Sequence, residues 1–562
     1  MEQKRNFIAI ILICIIVVLT PKWMSLFGPK QIIDNDDSYY ENLENSEPLV
    51  PLDFNKPNKG FASNIKEKKI TIVTDLYEAV ISNKSGGSIV SYKLKKFFGS
   101  YDLDQNYNDS INVELINDNN ASGCMPCIKY KDNISNSVYY FNDLFSYLDK
   151  DTIFVSGENT YDVNFTYKSA NDEKINKIVT IKGNSYTINH SFYFEDFDFS
   201  FSDELELCWL NGLLPTEKIE AEDIQNASFV ASFGQDYEKF YYTSPDSVEL
   251  EVVEGNASWI GINNKYFLMS IIPENRVKSF GHSYGSLDFK SRKITPSYNA
   301  FLAFSPSNNF SLTSKIYLGP LEYNTLKLEN VGLENAISFG WAIIQPFTKG
   351  ILFVLMFLKE YINNYGLVLI LFAFIVRIVT GPLTKKAAIS SQKMQSIQPK
   401  LQKIQKKYKN NPQKLNAETI ALYRDNGVNP LGGCLPILIQ MPLLFSLFLV
   451  FRTTIEFRGA KFFGWIQDLS QPDMIFELPF SIPLYGSYVC LLPLLMSITM
   501  FIQQSYTMAK NVDKNTKIMM QSMSVVFFLI FNTFPSGLNL YYTVTNILSI
   551  FQQRSIRKNL TS

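Results

Sequence analysis

One arginine inside an apolar segment constrains this chain more than any other sequence feature. Residues 365–384 contain a single charged side chain, that of Arg377. If the segment is a helix, Arg377 lies roughly 18 Å from Tyr365 and roughly 10 Å from Thr384 along its axis. These distances place the guanidinium well inside a hydrocarbon layer about 30 Å thick. Because a charge at that depth is costly, the rest of the fold must compensate it.

The sequence offers Arg377 no acidic partner within a membrane. Six apolar segments have the length of a spanning helix, and none contains Asp or Glu: residues 7–27, 365–384, 431–451, 484–504, 516–533 and 538–553. An arginine without such a partner needs water, carbonyl groups or amides around it, so we expect Arg377 to face a hydrated cavity between helices. The alternative is that its side chain extends to the interface beyond Thr384.

Polar residues at helical spacing favour the cavity. Thr380 and Thr384 follow Arg377 on its own helical face. In the last apolar segment, polar residues recur every three or four positions, at Asn539, Tyr542, Thr543, Asn546, Ser549 and Gln553. Gln440 adds a polar group from another segment. Several helices therefore share a polar side, although polar residues in membrane helices can also simply join helices, as for Asn532.

Composition and cysteine usage limit the other functions. The net charge of -1 argues against a nucleic-acid-binding protein. Cys124 and Cys127 form a CxxC pair without a second such pair or a nearby histidine, which favours a local disulfide or free thiols over a redox or zinc site. The chain contains no His-Glu-x-x-His motif and no phosphate-binding Walker loop. We therefore expect no enzymatic activity, no cofactor and no metal.

The N-terminal half predicts an anchor, a linker and a β domain. Residues 1–27 begin with basic residues and continue as an apolar segment without a small-residue cleavage site, which predicts an uncleaved signal anchor. Residues 28–60 are acidic and contain several prolines, which predicts a linker that does not fold alone. Over residues 61–330, alternating apolar and polar residues between Asn, Gly and Ser clusters predict a large antiparallel β-sandwich. Within it, His190 is expected to be a half-buried strand residue rather than a ligand.

The C-terminal part combines apolar segments with basic loops. Residues 331–363 predict an amphipathic helix in the membrane interface, with a second spanning helix as the alternative. Residues 385–428 carry many lysines and no acidic residue before Glu418, as expected of a cytoplasmic loop. Apolar residues on both sides of Asn411 predict a helical hairpin in this loop. The lysines on its surface either contact anionic lipid or ribosomal RNA or form a solvated face, among them Lys403, Lys406 and Lys407.

These features predict a polytopic α-helical membrane protein with six transmembrane helices and a large exported all-β sandwich domain. Both termini then lie in the cytoplasm. The predicted order is a signal anchor (1–27), a linker (28–60), the β domain (61–330), an interfacial helix (331–363), a second span (364–384), a cytoplasmic hairpin (385–428), a third span (429–452), an exported loop (453–482), a fourth span (483–504), a cytoplasmic loop (505–515), a fifth span (516–534), a sixth span (537–553) and a cytoplasmic tail (554–562).

Short motifs carry a resemblance to a known family. They occur in the order Phe374-Ile375-Val376-Arg377, Pro382-Leu383-Thr384-Lys385, Gln398-Pro399-Lys400, Asn429-Pro430-Leu431-Gly432-Gly433-Cys434, Ile439-Gln440-Met441-Pro442 and Phe534-Pro535-Ser536-Gly537-Leu538 with Tyr541-Tyr542. In this order they resemble the YidC family of membrane protein insertases. The exported domain more weakly resembles the large periplasmic domain of Gram-negative bacterial members, through Thr74-Asp75-Leu76, Gly86-Gly87 and Tyr317-Leu318-Gly319-Pro320.

The resemblance implies that the chain inserts proteins into the bacterial inner membrane and helps them fold, alone or with the Sec translocon. The implied partners are nascent membrane proteins, membrane lipids and, through the cytoplasmic loops, the ribosome or the signal-recognition machinery. Five of the six helices would surround a groove open to cytoplasm and lipid. Arg377 corresponds to the groove arginine and Gln440 to a lining glutamine, while Tyr541 and Tyr542 would contact nascent helices. Ala373 stands where some members have a polar threonine, so that role is not carried over.

The candidate substrate groove thus comprises Arg377, Thr380, Gln440, Asn539, Tyr541, Tyr542 and Asn546. Two other functions fit a membrane protein with these features. A solute transporter is expected to have inverted repeats, broken helices or an enclosed ionisable pair. A non-inserting assembly scaffold would instead use the β domain as its binding surface.

Overall fold

The computed structural model describes residues 65–101, 107–117, 120–131, 133, 138–147, 150–169, 173–197, 199, 202–218, 220–234, 236–241, 250–289, 293–307, 310–427, 435–482, 485–507 and 514–561. The predicted signal anchor and linker lie outside these residues. The described chain divides between Ile337 and Ser338 into two compact units, a β unit and a helical unit.

The β unit contains nineteen strands and two short helices among its described residues. The strands are β1 (Lys69–Val73), β2 (Tyr77–Ser82), β3 (Ser88–Tyr101), β4 (Tyr107–Ile116), β5 (Cys127–Lys131), β6 (Val138–Phe141), β7 (Thr152–Phe154), β8 (Thr160–Lys168), β9 (Lys174–Lys182), β10 (Thr187–Glu195), β11 (Leu205–Trp209), β12 (Ser228–Phe233), β13 (Asp236–Tyr241), β14 (Leu250–Glu254), β15 (Ala257–Asn263), β16 (Phe267–Pro273), β17 (Ser279–Phe289), β18 (Lys293–Phe304) and β19 (Ser311–Pro320). The helices are α1 (Glu220–Asn226) and α2 (Tyr323–Lys327).

These strands form three sheets. The largest has eight strands in the order β13-β12-β15-β16-β19-β10-β9-β8, the second has six in the order β14-β17-β18-β11-β5-β6, and the third has five in the order β4-β3-β2-β1-β7. All neighbours pair antiparallel except β1 and β7, which pair parallel. Strands β12 and β15 of the largest sheet pack against β17 and β18 of the second. The predicted antiparallel β-sandwich is therefore confirmed.

The alternation of buried residues along the strands explains this arrangement. On β9, every second residue is buried, so one face of the strand contributes to the core. Lys177 occupies one of these inward positions and is fully buried. His190, on the neighbouring strand β10, is also fully buried, and neither of its ring nitrogens forms a hydrogen bond with another described residue. His190 is therefore fully buried and not half-buried as predicted.

The sequence left open whether Cys124 and Cys127 pair, and the structure joins them in a disulfide. Both residues are fully buried, in a cluster with Cys208, Leu210 and Phe301. Among the described residues, no group of three or more His, Cys, Asp or Glu side chains is placed to bind a metal ion. The pair therefore belongs to the core of the β unit.

The helical unit contains seven helices and a β-hairpin among its described residues: α3 (Gln345–Tyr361), α4 (Tyr365–Lys407), α5 (Pro412–Asp425), α6 (Leu435–Thr453), β20 (Met474–Ile482), β21 (Gly486–Cys490), α7 (Leu492–Thr507), α8 (Lys514–Phe531) and α9 (Ser536–Thr561). By length and hydropathy, the described segment Tyr365–Lys386 can cross a membrane, and Gln440–Thr453 is a shorter apolar helix. Six spans therefore remain a prediction.

Local sequence signals set the helix starts. Asn364 and Asn411 precede α4 and α5, and each side chain accepts a hydrogen bond from the first turn of its helix. Pro346 occupies the first turn of α3, where its missing N–H costs nothing. The Gln345-Pro346 pair therefore begins this helix.

Three helices differ from the predicted boundaries. The segment predicted to end at residue 553 continues as α9 to Thr561. The segment predicted to end at residue 384 continues as α4 to Lys407, with Pro382 and Pro399 inside the helix. The segment predicted as a span from residue 483 forms β21 over Gly486–Cys490, and α7 begins only at Leu492. Gly486 has a positive φ of 93°, which a continuous helix does not allow. The hairpin therefore replaces the first two turns of the predicted span.

Candidate functional site

Helices α4 and α9 form the seam that contains Arg377. The rings of Phe372 and Tyr541 lie 5.9 Å apart between their centroids. Further along both helices, a Cβ atom added at Gly381 would lie 3.4 Å from Nε2 of Gln552. Because residue numbers increase together from one contact to the next, the two helices run in the same direction. Arg377 lies between these two contacts along α4.

Two nitrogen atoms of the Arg377 guanidinium, Nε and Nη2, are buried in this seam without a hydrogen-bond partner among the described residues. No ion pair within the described chain includes the guanidinium, and the Tyr541 side chain is close enough to interact with its charge. Buried polar atoms are normally hydrogen-bonded, and a buried charge left unpaired is especially costly. These guanidinium atoms therefore require water or a polar group from another molecule.

Helix α9 adds further polar atoms of the same kind. The hydroxyl group of Tyr542 and the Oε1 atom of Gln552 are buried, and neither forms a hydrogen bond within the described chain. Tyr541 is fully buried, and its ring packs edge-on against that of Tyr542, with 5.2 Å between centroids. Tyr542 is partly exposed. The α9 side of the seam is therefore polar and only partly satisfied by the protein.

Thr380 and Gln440 hold more peripheral positions. The hydroxyl of Thr380 donates to the carbonyl of Val376 at 2.8 Å within its own helix, so it needs no external acceptor. Its oxygen can still accept a hydrogen bond from another molecule. Gln440 is exposed near the start of α6, and no described contact joins it to Arg377.

The two predicted groove asparagines instead join helices. Asn539 is fully buried, and its amide donates to the carbonyls of Phe531 and Phe534 at 3.1 and 3.3 Å, where α8 ends. The amide of Asn546 donates to the carbonyl of Met496 at 3.3 Å, which ties α9 to α7. Helical spacing shows that polar residues share one face of a helix, but it does not show whether that face contacts a neighbouring helix or lines a groove.

The turn before α9 is held by backbone hydrogen bonds and by one close contact of a glycine. The backbone N–H groups of Ser536 and Gly537 donate to the carbonyls of Gln471 and Leu469. A Cβ atom at Gly537 would lie 2.6 Å from Cε1 of Phe451. The Phe-Pro-Ser-Gly motif is the available signal, because only glycine permits this approach.

Several helices also expose apolar side chains outside the seam. Ile378 and Val379, next to Arg377 on α4, are each 74 % exposed. Exposed apolar side chains also cover α7, α8 and α9, at Leu494, Ile498, Phe501, Ile502, Val525, Ile547 and Phe551. Contiguous exposed apolar surface of this extent marks contact with a membrane or a partner. The helical unit thus combines a polar seam with an apolar exterior.

The cytoplasmic hairpin predicted for residues 385–428 consists of the end of α4 and all of α5. Ile397 and Leu401 on α4 are buried, whereas Lys403, Lys406 and Lys407 are exposed. The two helices contact each other. The exposed lysines give this part of the helical unit a basic surface.

A Gly-x-Ser-x-Gly sequence, which can mark a hydrolase nucleophile, does occur in this chain, around Ser283. In the structure it lies within β17, where Ser283 pairs with Leu250 on β14 and Asn299 on β18. A hydrolase nucleophile of this kind requires a sharp turn from a strand into a helix. The motif therefore indicates no hydrolase site.

Comparison with known proteins places the two units in related families. The model of the 60Kd inner membrane protein family matches residues 357–562, and that of the YidC periplasmic domain matches residues 69–353. A membrane protein insertase YidC from Pelodictyon phaeoclathratiforme is 32% identical, with 98% of this chain and 94% of the relative covered. One from Prosthecochloris aestuarii is 31% identical, with 100% and 95% covered. A crystal structure of an active YidC insertase with its first transmembrane domain resolved is 19% identical and covers 88% of this chain and 93% of its own, at a TM-score of 0.35, too low to support an argument.

Proposed function

Because the chain belongs to the YidC family of membrane protein insertases, we propose that it inserts proteins into the bacterial inner membrane and helps them fold through the seam at Arg377. Family membership favours this function over solute transport and over a non-inserting scaffold. No covalent bond is made or broken in insertion, so the protein acts as a chaperone and not as an enzyme.

The single observation that supports the route is the unpaired guanidinium of Arg377. A protein that used this arginine only for structure would be expected to satisfy its Nε and Nη2 atoms internally, as it does the amide nitrogens of Asn539 and Asn546. An unpaired cation beside unsatisfied hydroxyl and amide oxygens suits a transient polar ligand. A segment of an incoming polypeptide is such a ligand.

In the first step, Arg377 and the polar atoms of α9 attract an acidic or polar segment of the client. Their charge and hydrogen-bonding capacity lower the desolvation cost of moving that segment partway into the bilayer. The attraction acts over a short range, because salt limits it to about 10 Å where the seam is open to solvent. The seam thus serves as an intermediate site rather than a channel.

In the second step, the apolar segment of the client moves along the lipid-facing side of the seam. Tyr542 offers a partly exposed aromatic surface there, and Met441 and Met500 offer flexible apolar side chains that adapt to different sequences. In the last step, the polar segment is released outside while the apolar segment partitions into lipid. For an acidic segment the membrane potential assists, by about 2.3 kcal/mol per charge per 100 mV.

We also propose the topology and the partners that go with this function. Six spans with both termini in the cytoplasm would place the β unit in the periplasm, in agreement with the basic character of residues 385–428. The exposed lysines of the α4–α5 hairpin would contact the ribosome or the signal-recognition machinery, among them Lys403, Lys406 and Lys407. The Sec translocon would be a further partner for larger clients.

The test is insertion in living cells by Arg377→Ala and Arg377→Lys variants, with Arg424→Ala as a control on the exposed face of α5. We expect Arg377→Ala to impair a client with an acidic translocated tail more than one with a short neutral tail. Arg377→Lys should retain most activity because it keeps the charge. Normal insertion by Arg377→Ala together with failure of Arg377→Lys would contradict the electrostatic role.

A further inference from the structure

The hairpin formed by β20 and β21 is an apolar surface that the proposed route does not use. Its 474–490 sequence contains one charged residue, Glu477. Four of its large apolar side chains are exposed: Ile475, Phe476, Phe480 and Ile482. Within the described chain the two strands pair only with each other. A two-stranded ribbon is marginal in water, so this hairpin needs support from its surroundings.

One part of that support comes from the end of α8. The amide nitrogen of Asn532 donates to the carbonyls of Tyr485 and Tyr488, at 2.8 and 2.7 Å, and its oxygen accepts from the N–H of Cys490 at 3.2 Å. The ring of Tyr485 also packs on that of Phe528, with 5.4 Å between centroids. The hairpin is therefore fixed to the last turns of α8.

The other part comes from the start of α7. Oδ2 of Asp473 accepts from the N–H groups of Leu491 and Leu492, at 3.1 and 2.7 Å, and so satisfies donors at the first turn of the helix. The same oxygen accepts from Nε1 of Trp465 at 2.9 Å. The hairpin thus has a fixed height, at the level where α7 begins and α8 ends.

The exposed surface of the hairpin continues that of the helices. Leu494, Ile498 and Phe501 are exposed on α7 immediately after the hairpin, and Trp465, which donates to Asp473 just before the hairpin, is also exposed. Aromatic side chains concentrate where a membrane meets water. The unpaired edges of a two-stranded ribbon exclude the hydrocarbon centre, because their backbone groups would have no partners there. The interfacial layer supplies apolar contact to the side chains and water to the backbone.

We propose that the β20–β21 hairpin lies in the phospholipid interface of the outer leaflet, with Phe476 and Phe480 among the lipids. The inference rests on the proposed topology, in which α7 and α8 span the membrane. The hairpin then sets the depth of the outer ends of both helices through Asn532 and Asp473. Its scarcity of charge suits apolar insertion rather than electrostatic attraction to head groups.

The test is photocrosslinking of the full chain in liposomes of phosphatidylethanolamine and phosphatidylglycerol. The photoreactive residue p-benzoylphenylalanine replaces Phe476 or Phe480 and preserves an aromatic ring, so folding is little disturbed. Phe501 on α7 is the reference for a lipid-facing position. Phe154, which is 77 % exposed on β7, is the matched control in the β unit. Mass spectrometry then identifies the molecule attached at each position.

We expect phospholipid adducts at positions 476 and 480 with a yield comparable to that at 501, and none at 154. Adducts at 501 without adducts at 476 and 480 would overturn the hairpin proposal while leaving the topology intact. Adducts of the hairpin positions with protein alone would identify a polypeptide partner and equally overturn it. If 501 also lacked lipid, the spanning role of α7 would fail and the hairpin proposal with it.

Discussion

Lys177 gives the β unit a pH dependence that can be calculated from its surroundings. The side chain is fully buried on β9. Its Nζ donates to the carbonyl of Ser85 at 2.9 Å and lies 4.5 Å from the ring centroid of Phe192. Because burial disfavours the charged form, it lowers the pKa of Lys177 from 10.5 to about 7. Replacement by methionine removes the titrating group and keeps a side chain of similar length.

The sign follows from the protons bound in each state. Between pH 7 and 10.5 the unfolded chain keeps a proton on Lys177 that the folded chain has lost, so the free energy of unfolding rises with pH. Each unit of difference in pKa corresponds to about 1.4 kcal/mol, which gives a rise on the order of 4 kcal/mol across the whole window. Between pH 7 and 9 the contribution of Lys177 is about 2 kcal/mol.

The assay is urea unfolding of the full chain in detergent, at pH 7 and pH 9. The fluorescence of Trp209 and Trp259, both fully buried in the β unit, reports its unfolding. Lys177→Met should show a rise about 2 kcal/mol smaller than the wild type. Lys239, whose pKa burial lowers to about 8, adds a similar but smaller rise to both proteins.

The control is Lys174→Met, on the same strand but exposed and paired with Glu195. It should keep the wild-type dependence on pH. The carbonyl of Ser85 loses its partner in Lys177→Met, but that cost does not vary with pH, so the change between the two pH values is diagnostic. An equal rise in Lys177→Met and the wild type would refute the assigned pKa.

Four further substitutions test the described contacts. Burial lowers the pKa of His190 well below 6.5, so the unfolded chain binds a proton that the folded chain excludes; stability should fall as pH drops below about 6.5, and urea unfolding should show a smaller loss in His190→Leu. Gly537→Ala forces a Cβ atom to within 2.6 Å of the Phe451 ring and should destabilise the protein by about 1–3 kcal/mol in thermal unfolding. Gly350→Ala on α3, where nothing lies within 4 Å, should instead be neutral or stabilise by up to about 1 kcal/mol. Asn532→Ala removes three hydrogen bonds to the backbone of the hairpin, each contributing on the order of 1 kcal/mol, and should speed chymotrypsin cleavage there; an unchanged cleavage rate would contradict its role as a clamp.

The sequence predicted the β unit well because alternation is a direct consequence of strand geometry. It did not predict that Lys177 takes an inward position, since lysine is almost always exposed and the neighbouring Ile178 reads equally well as inward. The alternating pattern of this strand was predicted correctly, but which of its two faces is buried depends on the strands that pair on either side. His190 posed the same problem, because burial depends on what covers the sheet.

In the helical unit, the apolar segments were recognised but their ends were not. Residues 484–490 read as the start of a span because a short apolar segment does not distinguish a strand from a helix. Gly486 was the available signal for the hairpin. Asn539 and Asn546 were predicted to line the groove, yet their amide nitrogens donate to backbone carbonyls at the end of α8 and on α7. Only the tertiary packing shows whether a polar residue joins two helices or lines a groove.

The most direct test of the central claim, that a client polypeptide passes Arg377 between α4 and α9, is photocrosslinking from the insertase to a ribosome-bound nascent membrane protein. A photoreactive residue at position 380 or 542 probes the seam, and one at position 494 probes the apolar face of α7. We expect adducts with the nascent chain from positions 380 and 542 but not from position 494. For an acidic client, the yield of these adducts should fall in Arg377→Ala and be retained in Arg377→Lys. Productive insertion without adducts from 380 or 542 would contradict the claim.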